Sequence, residues 1–364
     1  MQFLAIIILV GCLAVAPVTT NGASQCPIGC YCNKQFVDCS ALMEFPIDLP
    51  LDTVRFRTSL MNIQSVPPKA FSYLPNLTIV EFTQSNIHSI HSCAFTSAPS
   101  LQKIVFEKAV VGNVESYAFN GLSNLEQIEF ANSRIGRLKP FGFYNLTKIT
   151  SFNIVNTNLT NFYSHALCNL SDIGIFNFKE NNVSDMVTGA ITHVHDVNSV
   201  FIVGNKFWNM HCGVLDTLIS IGATAKSLAM ESNTFYCNCS ISHLVNHVGH
   251  SKYHVFLPKS KCHGPDAMVN ASSLAHVPFG DLKCAATMNI ETIITCPEVP
   301  LNPDPQCVVY PNKPTSPDAG GEMSQDDNNA KNGRRGSGVR ANGNGDNIIL
   351  ALAFLTLASA GVLA

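Results

Sequence analysis

The chain has 364 residues, 22 of them Lys or Arg and 25 Asp or Glu, giving a formal net charge of −3. It carries no extended basic run, so nothing points to nucleic acid as a partner, which calls for clustered Lys and Arg. The length could hold two globular domains, but an internal period changes that arithmetic.

Residues 1–23 come first. Phe3–Val10 is an almost unbroken apolar run that continues through Leu13 to Ala16, followed by Pro17, polar residues and small Ala23. That layout is a secretory signal peptide, without the usual positive charge at its start. A buried N-terminal helix fits less well, because no amphipathic period accompanies the run. Export places the mature chain in an oxidising compartment, where cysteines pair. Of 14 cysteines, Cys12 leaves with the signal. The odd remainder requires at least one thiol that is free or bonded between chains.

From Leu77 the chain repeats. Units begin at Leu77, Leu101, Leu125, Ile149, Ile173 and Val197, always 24 residues apart. Fourth positions are Val80, Ile104, Ile128, Phe152, Phe176 and Val200; sixth positions are Phe82, Phe106, Phe130, Ile154, Phe178 and Ile202. Eleventh positions run Ile87, Val111, Ile135, Leu159, Val183 and Phe207, and pairs such as Ala94-Phe95 and Ala118-Phe119 close each turn. Positions one, four, six and eleven should point inward, and two, three, five and seven outward along a short strand. No coil buries its apolar side alone, so the core must run lengthwise through stacked neighbours. An earlier coil is placed with Leu51, Val54 and Phe56 as its strand and Ala70-Phe71 as its turn. A last one carries Leu228, Met230, Asn233 and Phe235, making eight.

This pattern resembles the extracellular leucine-rich repeat, L-x-x-L-x-L-x-x-N-x-L with a variable second half. The resemblance implies an α/β solenoid, a horseshoe with a parallel concave β-sheet and disulfide-bonded end caps. Position nine departs from the family in four units: Ser85, Ala109, Ser133 and Thr157 stand where Asn is usual, while Asn181 and Asn205 keep it. Ala109 has no side-chain hydrogen-bonding group, so the polar ladder should be weakest there.

Two cysteine clusters bracket the repeats. Cys26, Cys30, Cys32 and Cys39 look like the family's N-terminal cap, which implies bridges Cys26–Cys32 and Cys30–Cys39. Cys237, Cys239, Cys262 and Cys284 look like its C-terminal cap, implying Cys237–Cys262 and Cys239–Cys284. Thr234 and Phe235 replace the family's usual Pro and Trp. Zinc binding is the competing reading of such clusters, disfavoured by export and by the flanking repeats. Cys296 and Cys307 bracket a Pro-rich loop and are expected to pair. Cys93, Cys168 and Cys212 sit two or three coils apart, beyond disulfide reach of one another at about 4.8 Å per coil. They are read as buried thiols, with a bridge between chains as the alternative.

The expected organisation is therefore a signal peptide at 1–23, an N-terminal cap at 24–50, repeats at 51–232 and a C-terminal cap at 233–284. A Pro/Gly/Asn-rich stalk follows at 285–347 and an apolar terminus at 348–364. That terminus spans about 26 Å as a helix, short of the roughly 30 Å hydrocarbon core, and no Lys or Arg follows it. Gly336-Ser337-Gly338 ahead of a polar spacer matches a glycosylphosphatidylinositol signal with Gly336 as attachment residue, and Asn342-Gly343-Asn344 is the other candidate. A short membrane helix is the alternative.

Catalytic patterns do not emerge. His243, His247 and His250 share a helical face, but no H-E-x-x-H motif accompanies them, and no phosphate loop or nucleophile elbow is present. The reading is a non-enzyme needing no cofactor or metal. Seven N-x-S/T sequons occur, at Asn76, Asn145, Asn158, Asn169, Asn182, Asn238 and Asn270, and none takes an outward position on the concave strands. The concave face presents Arg55, Arg57, Glu81, Lys103, Glu107, Glu126 and Glu129, then Asn153, Val155, Ile175, Asn177, Lys179, Phe201 and Val203. Aliphatic and aromatic side chains on such a face suggest a protein ligand. The resemblance implies a cell-surface protein in adhesion or receptor-like recognition, tethered by a lipid; the alternative is a soluble secreted matrix or defence protein on the same scaffold.

Overall fold

The computed structural model describes residues 26–211, 213–241, 259–266, 273–277 and 282. The signal segment, the stalk and the apolar terminus lie outside them, as do Cys212, Cys284, Cys296, Cys307, Asn270, Gly336 and the His243, His247 and His250 group.

Alternation of buried and outward residues over five positions per coil produces short parallel strands. Arg55–Ser59, Ile79–Thr83, Lys103–Glu107, Gln127–Ala131 and Ser151–Val155 pair in succession. This front sheet continues through the second halves of Leu167–Lys179 and Ile191–Val203 and ends at Ser227–Glu231. Eight coils result, as expected. Across the repeats from Leu77 to Val203 the register is the 24-residue period itself: Val80, Ile104, Ile128, Phe152, Phe176 and Val200 lie side by side.

The other side of each coil is also strand. Asn62–Val66, Asn86–Ile90, Val110–Val114, Arg134–Leu138, Asn158–Phe162, Asn182–Met186, Lys206–Met210 and Thr234–Tyr236 form a parallel back sheet, which the cap strand Lys261–Gly264 extends. Its cause is a second inward position at fourteen. Ile87 with Ile90, Val111 with Val114 and Leu159 with Phe162 are all buried, and β-branched residues suit a half-buried pleated surface. Among the described residues α-helix is confined to Val214–Ala223, in the long excursion before the last coil.

Two files of phenylalanine fill the space between the sheets. Phe82, Phe106 and Phe130 stack at 5.0 and 4.4 Å, and Phe95, Phe119 and Phe143 at 4.9 and 4.6 Å. The files meet edge to face, as between Phe106 and Phe119 at 6.3 Å, an arrangement that suits ring quadrupoles. Each buried ring contributes roughly 1.5–3 kcal/mol from water exclusion, realised only when both neighbouring coils are in place.

Turning from front to back sheet requires a left-handed residue at position eight. Gln84, Lys108, Asn132, Asn156 and Glu180 take φ of 49, 53, 51, 48 and 55°, and Gly204 takes 71°. The conformation costs a non-glycine roughly 1–2 kcal/mol. It aims the backbone N–H at the next coil, as from Gln84 to the Glu107 carbonyl at 2.9 Å and from Glu180 to that of Val203 at 2.8 Å.

Position nine, immediately after, carries the buried polar ladder. The Asn181 side chain accepts from the Thr157 N–H at 3.0 Å and donates to the Ile154 carbonyl at 2.9 Å. Asn205 repeats this with Asn181 N–H and the Phe178 carbonyl, and Asn233 with Asn205 N–H and the Ile202 carbonyl. The Ala109 N–H is itself taken by Ser133 Oγ at 3.0 Å. What Ala109 fails to supply is a side-chain acceptor for Ser85, one coil earlier.

Both caps close on disulfides. Cys26–Cys32 and Cys30–Cys39 form as implied, and the strand Phe36–Ser40 lays Val37 and Cys39 beside Phe56 and Thr58. Cys237–Cys262 forms too, and Phe235 stacks on Phe207 at 5.1 Å. Cys239 is disulfide-bonded, with its partner outside the described residues.

Two expectations are corrected. The first coil is offset by two residues: Phe56 pairs with Val80, a fourth position, and Thr58 with Phe82. Thr53 and Thr58 are therefore the inward residues, both fully buried, while Leu51 is 59% exposed. Thr53 satisfies its hydroxyl on the Pro50 carbonyl at 2.5 Å. The second correction is Cys93, which is disulfide-bonded and not a buried thiol. Its partner lies outside the described residues. Cys168 is the buried free thiol expected, its pKa raised by burial and partly restrained by a hydrogen bond with Thr192.

Candidate functional site

On the front sheet, outward residues of neighbouring coils fall into rows along the solenoid. One row runs Arg57, Glu81, Val105, Glu129, Asn153, Asn177, Phe201 and Ala229. A second runs Glu107, Ala131, Val155, Lys179, Val203 and Glu231. In a third, Ile175 lies between Ser151 and Ser199 and is 37% exposed. Adjacent strands thus hold the expected residues close together, polar toward the N-terminal coils and mixed with apolar side chains further along.

Several of these side chains are engaged with each other. Arg55 pairs with Glu81 at 2.6 Å, which engages one of the two arginines at the start of the face. Gln127 donates to Glu129 at 2.9 Å, and Asn132 to Glu107 at 3.0 Å. Arg57 and Glu126 are exposed, and Lys103 is half-buried. Further along, Lys179 Nζ stands 4.1 Å over the Phe201 ring, a cation–π contact that interrupts the apolar surface. Asn177 donates to Asn153 at 2.7 Å, while Asn177 Oδ1 is buried with no hydrogen-bond partner. A buried acceptor left unmade costs about 1–3 kcal/mol, so this corner of the face is unfinished in the isolated chain.

Residues 64–198 match the BspA type leucine rich repeat region in six copies. Over those residues the solenoid is built of leucine-rich repeats. Curated proteins contain no sequence relative that matches. Similar solved structures include human trophoblast glycoprotein (Wnt-activated inhibitory factor 1), 19% identical over 71% of this chain and 100% of that one, with a TM-score of 0.40. Another is an octameric complex of latrophilin 3, Unc5D and FLRT2, whose leucine-rich-repeat component is FLRT2: 18% identity, 71% and 100% coverage, TM-score 0.34.

The sequons among the described residues lie off the front sheet. Asn158 and Asn182 open back-sheet strands, and Asn145 and Asn169 share a register where Asn169 donates to Asn145 at 3.0 Å. Asn76 is exposed and Asn238 half-buried.

Two surfaces were not anticipated. At the N-terminal cap Ile28, Tyr31, Met43 and Ile47 are exposed beside a cleft of roughly 760 Å³ lined by Pro27, Leu42, Glu44 and Phe45. At the far end of the back sheet, Trp208 is 41% exposed and backed by Tyr236 at 6.2 Å and His263 at 4.7 Å. Both His263 ring nitrogens are buried without a hydrogen-bond partner. Burial first, and the charge of Lys206 second, lower its pKa, against an opposing contribution from the Thr234 backbone. A lone Trp in a position-twelve slot otherwise held by small or polar residues was the available signal. No group of acidic, His and Cys side chains suited to a metal occurs among the described residues, nor any helix long and apolar enough to cross a membrane.

Proposed function

We propose that this is an extracellular binding protein, not an enzyme, which engages a protein ligand through the C-terminal half of its front sheet. The carrying observation is the corner where half-exposed Phe201 and Val203 adjoin Ile175 and the unsatisfied Asn177 Oδ1. An aromatic anchor beside aliphatic neighbours is the usual make-up of an interface hot spot. An unmet acceptor at its edge favours a partner that brings a donor once Lys179 swings aside. Arg57, Lys103, Glu107, Glu126 and Glu129 form the polar approach, which should tune association rate and salt dependence more than affinity. The chain is read as cell-surface, held by a lipid at Gly336, with a soluble matrix or defence protein as the second form of the same function.

The test is binding of fluorescent tetramers of the ectodomain to a panel of cells. Phe201→Ala with Ile175→Ser should weaken staining of responsive cells more than about tenfold while secretion stays normal. Unchanged staining would move the site off this face.

A further inference from the structure

On the back sheet, Asn182-Val183-Ser184 is a sequon in the strand paired with Lys206–Met210. Asn182 lies opposite Lys206 and Val183 opposite Phe207, with Ser184 and Trp208 next along their strands. The Trp208 indole leans back across the strands and its Nε1 donates to Asn182 Oδ1 at 2.8 Å. That bond holds the carboxamide by its oxygen and leaves Nδ2, the nitrogen that takes a sugar, as the group free to be substituted. Tyr236 and His263 back the ring and fix its plane. Lys206 Nζ stands 4.3 Å over the ring, and this half-exposed, flexible side chain is what covers the indole face.

We infer that Asn182 carries an N-linked glycan whose first sugar is seated on Trp208, so that the chain's own carbohydrate covers the aromatic end of the back sheet. In the attachment step the Asn182 nitrogen displaces the diphosphate of a lipid-linked oligosaccharide at its anomeric carbon and gives up one N–H proton. The sugar's C–H face then lies on the indole in place of Lys206, whose flexible cation moves aside. An indole combines an apolar face with a polar edge, which is what a sugar ring on one side and an amide oxygen on the other require. Asn158, in the same register one coil earlier, has no such platform: its position-twelve counterpart one coil on is Ser184. A covered back face leaves the front sheet as the open surface. The inference rests on the extracellular reading, since the donor is met during export.

Trp208 is the single tryptophan of the chain, so intrinsic fluorescence reports on this site alone. The full chain is made in glycosylating animal cells, and Ser184→Ala removes the sequon while keeping the Asn182 amide; Ser184 is exposed, so folding is spared. Acrylamide quenching of Trp208 should rise at least about twofold in Ser184→Ala, with a red-shifted emission, and stay unchanged in Thr160→Ala, which removes the Asn158 sequon. Trimming every glycan to its first sugar should leave Trp208 shielded. Peptide mapping that finds sugar at Asn158 but none at Asn182 overturns the inference and leaves the extracellular reading standing. Sugar nowhere on the chain overturns both. Sugar at Asn182 with quenching equal in wild type and Ser184→Ala, or shielding lost on trimming to the first sugar, refutes the Trp208 seat.

Discussion

Replacing Asn205 by Ala probes the buried ladder where it is most complete. The side chain is fully buried, accepts from the Asn181 N–H at 2.9 Å, and donates to the Phe178 carbonyl at 2.7 Å and Asn233 Oδ1 at 3.0 Å. Alanine leaves the Asn181 N–H and the Phe178 carbonyl without this partner. At about 1–3 kcal/mol for each orphaned buried group, the loss is about 2–6 kcal/mol. Ser85→Ala is the internal comparison. Ser85 Oγ accepts from the Met61 N–H at a longer 3.3 Å and otherwise serves its own strand, so about 1 kcal/mol is expected. Urea unfolding of the purified ectodomain measures both. Because stability in a solenoid is shared between neighbours, amide exchange should place the Asn205 defect in the coils from Ile173 to Met210. A loss below about 1 kcal/mol, or one equal to that of Ser85→Ala, would show that water replaces the ladder and refute the reasoning.

Other outcomes follow from the same structure. Ala109→Ser should raise stability by about 1 kcal/mol in the urea assay by giving the Ser85 N–H an acceptor. Cys262→Ser should cost about 2–5 kcal/mol and impair secretion, measured by immunoblot of medium and lysate, while Cys168→Ser, which removes only an unbonded thiol, should be mild. Burial raises the Cys168 pKa, so its thiolate is scarce below the raised value; iodoacetamide at pH 8 should label it only after unfolding. A phosphatidylinositol-specific phospholipase should release the chain from expressing cells, and retention with a tag after Ala364 intact would refute the lipid anchor.

The 24-residue period made most of the fold legible, because each core position recurs with an apolar residue. It failed where a polar residue holds a core position. Thr53 and Thr58 are buried, and a search for apolar spacing settled on Leu51, Val54 and Phe56, two residues out. The back sheet was missed because positions eleven and fourteen, three apart, do not show the alternation that marks a strand. At position eight, Gln84, Lys108 and Glu180 adopt left-handed φ with no Gly or Asn to announce it. On the front face, alternation identified which residues point outward. It could not show that Arg55 is spent on Glu81 or that Lys179 covers Phe201, since both contacts join separate strands across 22 or more residues of chain. Cys93 carries no local signal that separates a bridged cysteine from a buried thiol, and it is disulfide-bonded.

The front-sheet claim is tested most directly by placing a sugar on it. Lys179→Thr completes an N-x-T sequon at Asn177, beside Phe201, and Lys179→Ala removes the same cation without adding one. With glycosylation at Asn177 confirmed by peptide mapping, tetramer staining of responsive cells should fall more than about tenfold for Lys179→Thr and change little for Lys179→Ala. Full staining by protein glycosylated at Asn177 would contradict the account.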